Sequence, residues 1–163
     1  MAEQMVIFQG TFDPLTNGHL FVVKQALQLF GQVRILLLVN PDKTPLFLLD
    51  ERKELIQAAT ADLPGVSVDS YDGLLVDYMR KYHLDTCVRG VRSAEDAAYE
   101  MHNDHLSQAL YPALHTFLIA CPNEYQALSS SAVKAACMQG NLPAGWVPEV
   151  VEQALKKKFP HIL

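Results

Sequence analysis

The sequence has few of the features that mark a secreted protein, a metal-stabilised protein or a membrane-spanning protein. Its three cysteines, Cys87, Cys121 and Cys137, form no CxxC pair, so neither a disulfide framework nor a zinc knuckle is indicated. No apolar run approaches the roughly 20 residues of a membrane helix. Residues 1–8 carry Glu3 and lack the basic and long apolar regions of a signal peptide. These absences predict a soluble protein of the reducing cytoplasm.

Positive charge is also scarce. The chain has 13 lysine and arginine residues against 18 aspartate and glutamate residues, and the basic residues are scattered. This distribution lacks the electrostatic footprint of a protein that binds duplex DNA or an anionic membrane, so we expect neither partner. Half of the 163 residues are apolar, which is enough for the core of a single domain over residues 1–163. Basic residues that do converge would bind a small anion.

Short apolar runs alternate with segments of helical periodicity along the whole chain. Residues 5–8 and 33–39 have the continuous apolar character of buried parallel strands, and residues 18–30 between them have helical spacing before Gly31. The alternation predicts a single-domain α/β fold, with a Rossmann-like parallel sheet and helices on both faces. Further strands are predicted at 66–69, 86–88 and 115–120, and further helices at 50–63, 74–82, 95–110, 130–138 and 148–158.

Ligands in such sheets bind beyond the carboxyl ends of the strands, so the loops there are expected to converge. These loops span 10–19, 40–47, 89–92 and 122–131. The first leads into a helix whose free backbone N–H groups favour an anion, and Thr11 and His19 can both bind phosphate oxygens. The alternative is an ordinary strand-to-helix turn with a capping threonine and a packed histidine.

Basic side chains occupy two of the other loops. Lys43 can reach a phosphate from the second loop, although a lysine in a proline-rich loop is more often simply solvated. Arg89 and Arg92 flank a glycine directly after a predicted strand, where their guanidinium groups can grip phosphate oxygens. The alternative for this pair is a surface ion-pair network with Glu95 and Asp96.

Two further groups of polar residues lie on or before helices. Residues 129–131 place three serine hydroxyls at a predicted helix start, which indicates a second anion site because capping alone explains only one serine. His102 and His105 have a spacing that could hold a metal ion. A third ligand is not evident beside them, so an exposed helix face is favoured and no protein metal site is predicted.

The first loop carries a family resemblance. Residues 10–19, Gly-Thr-Phe-Asp-Pro-Leu-Thr-Asn-Gly-His, resemble the signature of the nucleotidyltransferase superfamily that uses a T/HxGH motif. The Thr-Asn-Gly-His version, Lys43 after the second strand, Arg-Gly-Val-Arg at 89–92 and Ser-Ser-Ser-Ala-Val-Lys at 129–134 are together similar to the bacterial phosphopantetheine adenylyltransferases. The resemblance covers nearly the whole chain, with four motifs in the same order.

The resemblance implies attack of the 4'-phosphate of phosphopantetheine on the α-phosphate of ATP, giving dephospho-coenzyme A and pyrophosphate without a covalent enzyme intermediate. It implies that Thr11 aligns the acceptor phosphate and that His19 stabilises the transition state. Lys43 and Arg92 complete the implied catalytic set, Lys43 on the reacting phosphates and Arg92 on the leaving pyrophosphate. Mg²⁺ accompanies ATP in this scheme, coenzyme A is a candidate inhibitor, and a homohexamer is expected.

The resemblance also implies which residues contact the two substrates. The acceptor would contact Thr11, Lys43, Leu74, Leu75 and Arg89. The implied ATP-binding residues are Thr11, Phe12, His19, Gly90, Val91, Arg92, Glu100, Tyr125, Gln126, Ala127, Leu128, Ser129, Ser130 and Ser131.

The chain departs from the family pattern at two places. Gln9 stands where proline is usual, and residues 97–108 lack the usual Phe-Glu-Tyr-Glu run, having Ala-Ala-Tyr-Glu instead, and lack the later Asn-Arg pair. That helix lines the pantetheine side in relatives, so the departures concern the acceptor. Two alternatives stay open: an adenylyltransferase with another phosphorylated acceptor, such as nicotinate mononucleotide or glycerol phosphate, and a catalytically silent nucleotide- or coenzyme A-binding module.

Overall fold

The computed structural model describes residues 3–162. Its sheet has five parallel strands, in the spatial order β3-β2-β1-β4-β5. The chain therefore starts at the centre, builds one half of the sheet, and crosses back to build the other half. This confirms the predicted α/β fold with a Rossmann-like parallel sheet. The strands are β1 (Gln4–Gly10), β2 (Gly31–Leu38), β3 (Val66–Tyr71), β4 (Thr86–Val91) and β5 (His115–Ala120).

Within residues 3–162, six α-helices connect or follow the strands. Gly31 ends the first of them with a φ of 85°, a left-handed conformation that glycine adopts without strain. The longest helix has 17 residues, and no helix in the described part of the chain is long and apolar enough to cross a membrane. The helices are α1 (Asn17–Phe30), α2 (Leu49–Ala59), α3 (Leu75–Lys81), α4 (Ala94–Leu110), α5 (Ser130–Met138) and α6 (Glu149–Lys158).

The predicted element boundaries need two corrections of consequence. The fourth strand runs on through Val91, so Arg89 and Gly90 are strand residues and only Arg92 lies in the following loop. The second helix ends at Ala59, before the Pro64-Gly65 pair that was expected to end it. The strand is longer because its ladder with β5 continues to the pair Val91 and Ala120.

Two apolar cores cover the two faces of the sheet. Alternate residues of β1 pack into different cores. Val6 and Phe8 belong to the larger core under α1, α2, α5 and α6, whereas Ile7 belongs to the smaller core under α3. Gly90 is required by this packing, because a Cβ there would lie 2.6 Å from Cγ2 of Val22 on α1. The carboxyl ends of β1 and β4 therefore lie side by side where the strand order reverses, which is the usual ligand position in such sheets.

Helix α4 contacts the sheet mainly through polar side chains, and none of its residues is fully buried. Asp96, Glu100, Asp104 and Gln108 recur every four residues, so they share one helix face. Their partners, in the same order, are Arg92, Arg89, Thr116 and the carbonyl oxygen of Leu114. We call these four residues the polar stripe. Two of its partners are the arginines that the sequence singled out as phosphate ligands.

Candidate active site

His19 lies in the first turn of α1, where it closes the start of the helix. Thr16 is the N-cap residue, and its backbone N–H donates to Nδ1 of His19 over 2.9 Å. The Thr16 hydroxyl accepts from the backbone N–H of His19 over 3.3 Å. Because Nδ1 is an acceptor here, the neutral ring carries its proton on Nε2. The capping threonine and packed histidine considered from the sequence are thus both present, and the cap is Thr16.

The charge state of His19 follows from its surroundings. Burial of the ring lowers the pKa of His19 to about 4, and the positive charge of Arg92 lowers it in the same direction. The imidazole is therefore neutral at pH 7. A neutral ring with Nδ1 occupied offers one N–H donor, from Nε2, to the cavities that it lines.

Phe12 fixes the ring of His19 from the interior side. It is 3% exposed and has a φ of 47°, an uncommon backbone conformation for a bulky residue. Its ring meets Phe8 edge-on at 5.2 Å and His19 at 5.0 Å between centroids. A side chain at Gly10 would press on the Phe12 ring, with its Cβ 3.0 Å away. The turn at Phe12 therefore places an aromatic ring against the ring of His19.

A buried carboxylate joins the first loop to the second. Asp13 is 3% exposed, and its oxygens accept from the backbone N–H groups of Leu46 and Phe47 over 2.7 and 2.9 Å. Its Oδ2 also lies 3.8 Å from Nζ of Lys134. The loop that carries Lys43 is thereby held against the first loop, and Lys43 lines a cavity that His19 also lines.

Arg52 reinforces this junction from α2. It is 7% exposed, and it donates from Nε to the carbonyl oxygen of Phe47 over 3.0 Å and from Nη1 to that of Thr11 over 2.8 Å. The sequence interpretation missed both Asp13 and Arg52. An acid within the apolar run from Phe12 to Leu15 is the one signal that could have pointed to a buried, structural carboxylate.

Both predicted arginines have protein partners. Arg89 projects from β4 and is largely buried, with Nε 3.5 Å from Oε2 of Glu100. Arg92 lies 3.1 Å from Oδ2 of Asp96 through Nε, and its Nη1 donates to the carbonyl oxygen of Leu128 over 2.8 Å. The ion pair with Asp96 that the sequence raised as an alternative is therefore present. Each guanidinium is oriented, and each pairs with a carboxylate of the polar stripe.

The three serines before and within α5 have three different environments. Ser129 is the N-cap residue and accepts from the N–H of Ala132 over 3.0 Å. Ser130 donates to the carbonyl oxygen of Pro14 over 2.8 Å, which ties α5 to the first loop. Ser131 is exposed and lines the same cavity as Lys43. Capping accounts for one of the three hydroxyls, as the sequence indicated.

Three adjoining cavities meet at this edge of the sheet, with volumes of about 340, 510 and 600 Å³. We call them the nucleotide, junction and acceptor cavities, after the ligands that the sequence resemblance implies for their lining residues. His19 and Ser130 are shared by the first two, Arg89 and Glu100 by the first and third, and Thr11 by the last two. Of the residues predicted for the site, only Val91, Gln126 and Ala127 line none of the three. The nucleotide cavity includes Phe12, His19, Arg89, Gly90, Arg92, Glu100, Tyr125, Leu128, Ser129 and Ser130.

The acceptor cavity is a long trough between α3 and α4. Its α4 wall runs from Tyr99 to Leu110, twelve residues of helix that extend over roughly 16 Å. Leu74, Leu75 and Leu106 give it apolar walls. Arg89 and Gln9 also line it, as do the polar side chains of Asn40, Asn103 and Ser107, so an occupant would combine an anionic end with an extended body of both polar and apolar groups.

Within residues 3–162 no three histidine, cysteine, aspartate or glutamate side chains are grouped as metal ligands. His102 and His105 are exposed on α4. The side-chain oxygens beside the junction cavity are mostly neutral, from Thr11, Asn40, Thr44, Ser130 and Ser131. The one carboxylate, Asp13, already accepts from two backbone N–H groups and lies near Lys134. This donor set suits a magnesium ion held mainly by phosphates and water.

Comparisons with known proteins bear on both family and fold. A model of the cytidylyltransferase-like family matches residues 7–136. A solved structure from Vibrio parahaemolyticus, named as a nicotinate-nucleotide adenylyltransferase, is 19% identical with a TM-score of 0.66, and the match covers 94% of this chain and 98% of that one. A bifunctional NMN adenylyltransferase/ADP ribose pyrophosphatase from Francisella tularensis is 17% identical with a TM-score of 0.70, over 95% of this chain and 49% of that one. These structures share the fold described above.

Proposed function

The chain belongs to the cytidylyltransferase-like family, and we propose that it transfers the adenylyl group of ATP to 4'-phosphopantetheine, releasing pyrophosphate and dephospho-coenzyme A. One observation carries the proposal. Groups that can bind phosphate collect where the nucleotide cavity, the junction cavity and the long trough meet, and Arg89 lines both the nucleotide cavity and the trough. This arrangement suits two phosphorylated ligands that meet end to end.

ATP occupies the nucleotide cavity in this proposal. The backbone N–H groups at the start of α5, together with Ser129 and Ser130, favour the triphosphate. Arg92 adds a guanidinium that holds the β- and γ-phosphates and follows the leaving pyrophosphate. The α-phosphate then lies toward His19, at the boundary with the junction cavity.

The chemistry is positioning and charge stabilisation. A phosphate oxygen of the acceptor bonds to the α-phosphorus as the bond to the bridging oxygen breaks, and the electron pair leaves with pyrophosphate. An ionised phosphate needs no general base. The Nε2 proton of His19 donates to an α-phosphate oxygen where negative charge builds, while Thr11 and Lys43 align the acceptor phosphate. Magnesium held by the phosphates and water supplies further charge neutralisation when bound.

The acceptor occupies the trough. Its phosphate contacts Arg89, and its pantetheine arm extends along α4 between Leu74, Leu75 and Leu106. An extended chain of amides and methylenes matches the length of the trough and its mixture of polar and apolar side chains. Coenzyme A carries the same arm, so it would compete for this cavity as an inhibitor.

Self-association into a homohexamer is part of the proposal. β5 is an edge strand with exposed Phe117 and Leu118, at 47% and 37% of their full exposure, and Met101 on α4 is also exposed. An exposed apolar edge strand is a surface on which another copy of the chain can pack. Light scattering after size-exclusion chromatography is expected to give six times the subunit mass of 18.2 kDa. The three free thiols fit the cytoplasm as the place of the reaction.

Nicotinate mononucleotide is the second candidate acceptor, because both solved structures compared above are named for nicotinate or NMN adenylyltransferase activity. The trough favours phosphopantetheine over it, since a compact nucleotide would leave the outer end near Leu110 empty.

The proposal is tested by incubating the protein with ATP, magnesium and phosphopantetheine and identifying the product by mass spectrometry. Dephospho-coenzyme A and an equal amount of pyrophosphate are expected. ATP binding without turnover of phosphopantetheine, nicotinate mononucleotide or glycerol phosphate would instead support a silent nucleotide-binding module.

A further inference from the structure

Gln9 and Arg89 are neighbours on adjacent parallel strands. Ile7 of β1 pairs with Cys87 of β4, and both side chains enter the smaller core. Two residues further along each strand, Gln9 and Arg89 follow on the same face of the sheet. Both line the nucleotide cavity and the acceptor cavity. Any phosphate that approaches Arg89 therefore also meets Gln9.

The two residues are joined through side chain and backbone. Nη1 of Arg89 donates to the backbone carbonyl oxygen of Gln9 over 3.1 Å. The amide orientation that satisfies the Gln9 side chain directs its Oε1 at both Nη1 and Nη2 of Arg89. The amide oxygen thus occupies the two-pronged face of the guanidinium, which is the face that grips a phosphate.

Counting donors shows how little of Arg89 is free. A guanidinium has five N–H groups. Nε faces Glu100, and Nη1 donates to both the backbone and the side-chain oxygen of Gln9. Nη2 also donates to the side-chain oxygen of Gln9. One Nη2 hydrogen remains for a ligand. A phosphate that binds through both Nη groups must displace the Gln9 amide.

We infer that Gln9 sets the affinity for the acceptor, because its side-chain amide competes with the acceptor phosphate for Arg89. The neutral amide holds the guanidinium beside Glu100 until a phosphate monoester replaces it. The inference rests on the proposed function for the identity of the acceptor. The hydrogen bonds between Gln9 and Arg89 would compete with any phosphate that binds Arg89, whatever the acceptor.

The test replaces Gln9 by methionine, which keeps the side-chain length and removes the oxygen. Calorimetric titration of phosphopantetheine is expected to show binding about tenfold tighter in Gln9→Met, because the ligand no longer breaks a hydrogen bond to a charged group. Gln9→Glu is expected to bind at least tenfold more weakly, since a carboxylate competes better than an amide.

Two controls isolate the contact. Gln32→Met alters another strand glutamine, whose side chain binds Glu3, and should leave phosphopantetheine binding unchanged. In an Arg89→Met background the difference between Gln9 and methionine should vanish. If Gln9→Met weakens binding, or tightens it equally without Arg89, competition is disproved. Gln9→Asn, which shortens the reach of the amide, provides the same comparison if Gln9→Met does not fold.

Inorganic phosphate separates this inference from the proposed function. If phosphopantetheine is neither bound nor adenylylated while inorganic phosphate binds more tightly to Gln9→Met than to the wild type, the acceptor assignment fails and the competition stands. If phosphopantetheine is turned over while Gln9→Met binds it and inorganic phosphate as the wild type does, the competition fails alone.

Discussion

Nδ1 of His19 accepts the backbone N–H of Thr16, and the Thr16 hydroxyl accepts the N–H of His19 in return. The residue that closes the start of α1 is thus also the proposed donor to the reacting phosphate. This double role fixes the tautomer of the ring, because the cap consumes the lone pair of Nδ1 and leaves the proton on Nε2. It also means that substitutions at this position must separate an effect on folding from an effect on rate.

Glutamine at position 19 separates the two roles. Glutamine is a favoured third residue of a capping box, so His19→Gln is expected to retain the cap while displacing the donor from the ring position. The rate of pyrophosphate release should fall by about 10²–10³-fold, as on removal of one transition-state donor. Calorimetry should show ATP affinity largely unchanged. His19→Ala should lose the rate and also about 1 kcal/mol of stability; equal loss of rate and ATP affinity in both variants would refute the role of His19.

The pH profile should lack the titration of an ordinary histidine. Because the pKa of His19 is about 4 in the folded protein and near 6.5 in an unfolded chain, protonation favours unfolding. The contribution of this group to stability is complete above pH 6.5 and is lost as the pH falls toward 4. His19 should therefore impose no limb on the kcat profile between pH 6 and 8.

The positive charge of Arg92 is the second cause of the lowered pKa of His19, and removing it provides a control. Removing the positive charge in Arg92→Gln should raise the pKa of His19, measured by NMR of the ring protons. A His19 midpoint near 6.5 in the wild-type protein would contradict a buried ring that stays neutral down to about pH 5.

Asp13 should matter for the position of Lys43. Asp13→Ala leaves the N–H groups of Leu46 and Phe47 without their acceptor, and an unsatisfied buried donor costs about 1–3 kcal/mol. Urea unfolding should show that loss, and hydrogen exchange at Leu46 and Phe47 should accelerate. Asp42→Ala, at an exposed carboxylate of the same loop, should change neither. Unaltered exchange at both amides in Asp13→Ala would show that Asp13 does not anchor the loop.

A substitution at Asp104 tests how much the polar stripe contributes to stability, because the partner of Asp104 is Thr116 and not one of the two arginines. Its Oδ1 accepts from the hydroxyl of Thr116, which also lies 3.1 Å from Sγ of Cys87. Asp104→Ala is expected to lower the free energy of unfolding by about 1–3 kcal/mol, since the hydroxyl loses a charged acceptor. His105→Ala on the exposed side of α4 serves as the matched control. Equal stability of the two variants would mean that apolar contacts hold α4.

Much of this fold could be predicted from the alternation of apolar runs and helical spacing. The end of β4 could not, because arginine and glycine side by side indicate a loop, whereas the ladder with β5 extends the strand through Gly90 to Val91. Gly90 is a strand residue for a reason that depends on tertiary packing, the close approach of Val22 from α1.

The position of the candidate site at the strand ends could be predicted from the sequence. The ion pairs and hydrogen bonds that hold its side chains could be predicted less well. The loops that carry His19, Lys43 and Arg92 were expected to converge, since carboxyl ends of parallel strands share an edge. The polar stripe was not expected, because polar residues four apart usually mark a solvated helix face. Its partners lie on β4, β5 and the loops beside them, far along the chain or across a turn, and sequence spacing does not reveal them.

The central claim is the identity of the acceptor, and direct competition tests it most simply. The protein is supplied with ATP, magnesium and equal concentrations of phosphopantetheine and nicotinate mononucleotide, and the two adenylylated products are quantified from one reaction. Their ratio equals the ratio of kcat/KM values for the two acceptors. We predict that dephospho-coenzyme A dominates, whereas a product mixture dominated by the dinucleotide of nicotinate would contradict the account.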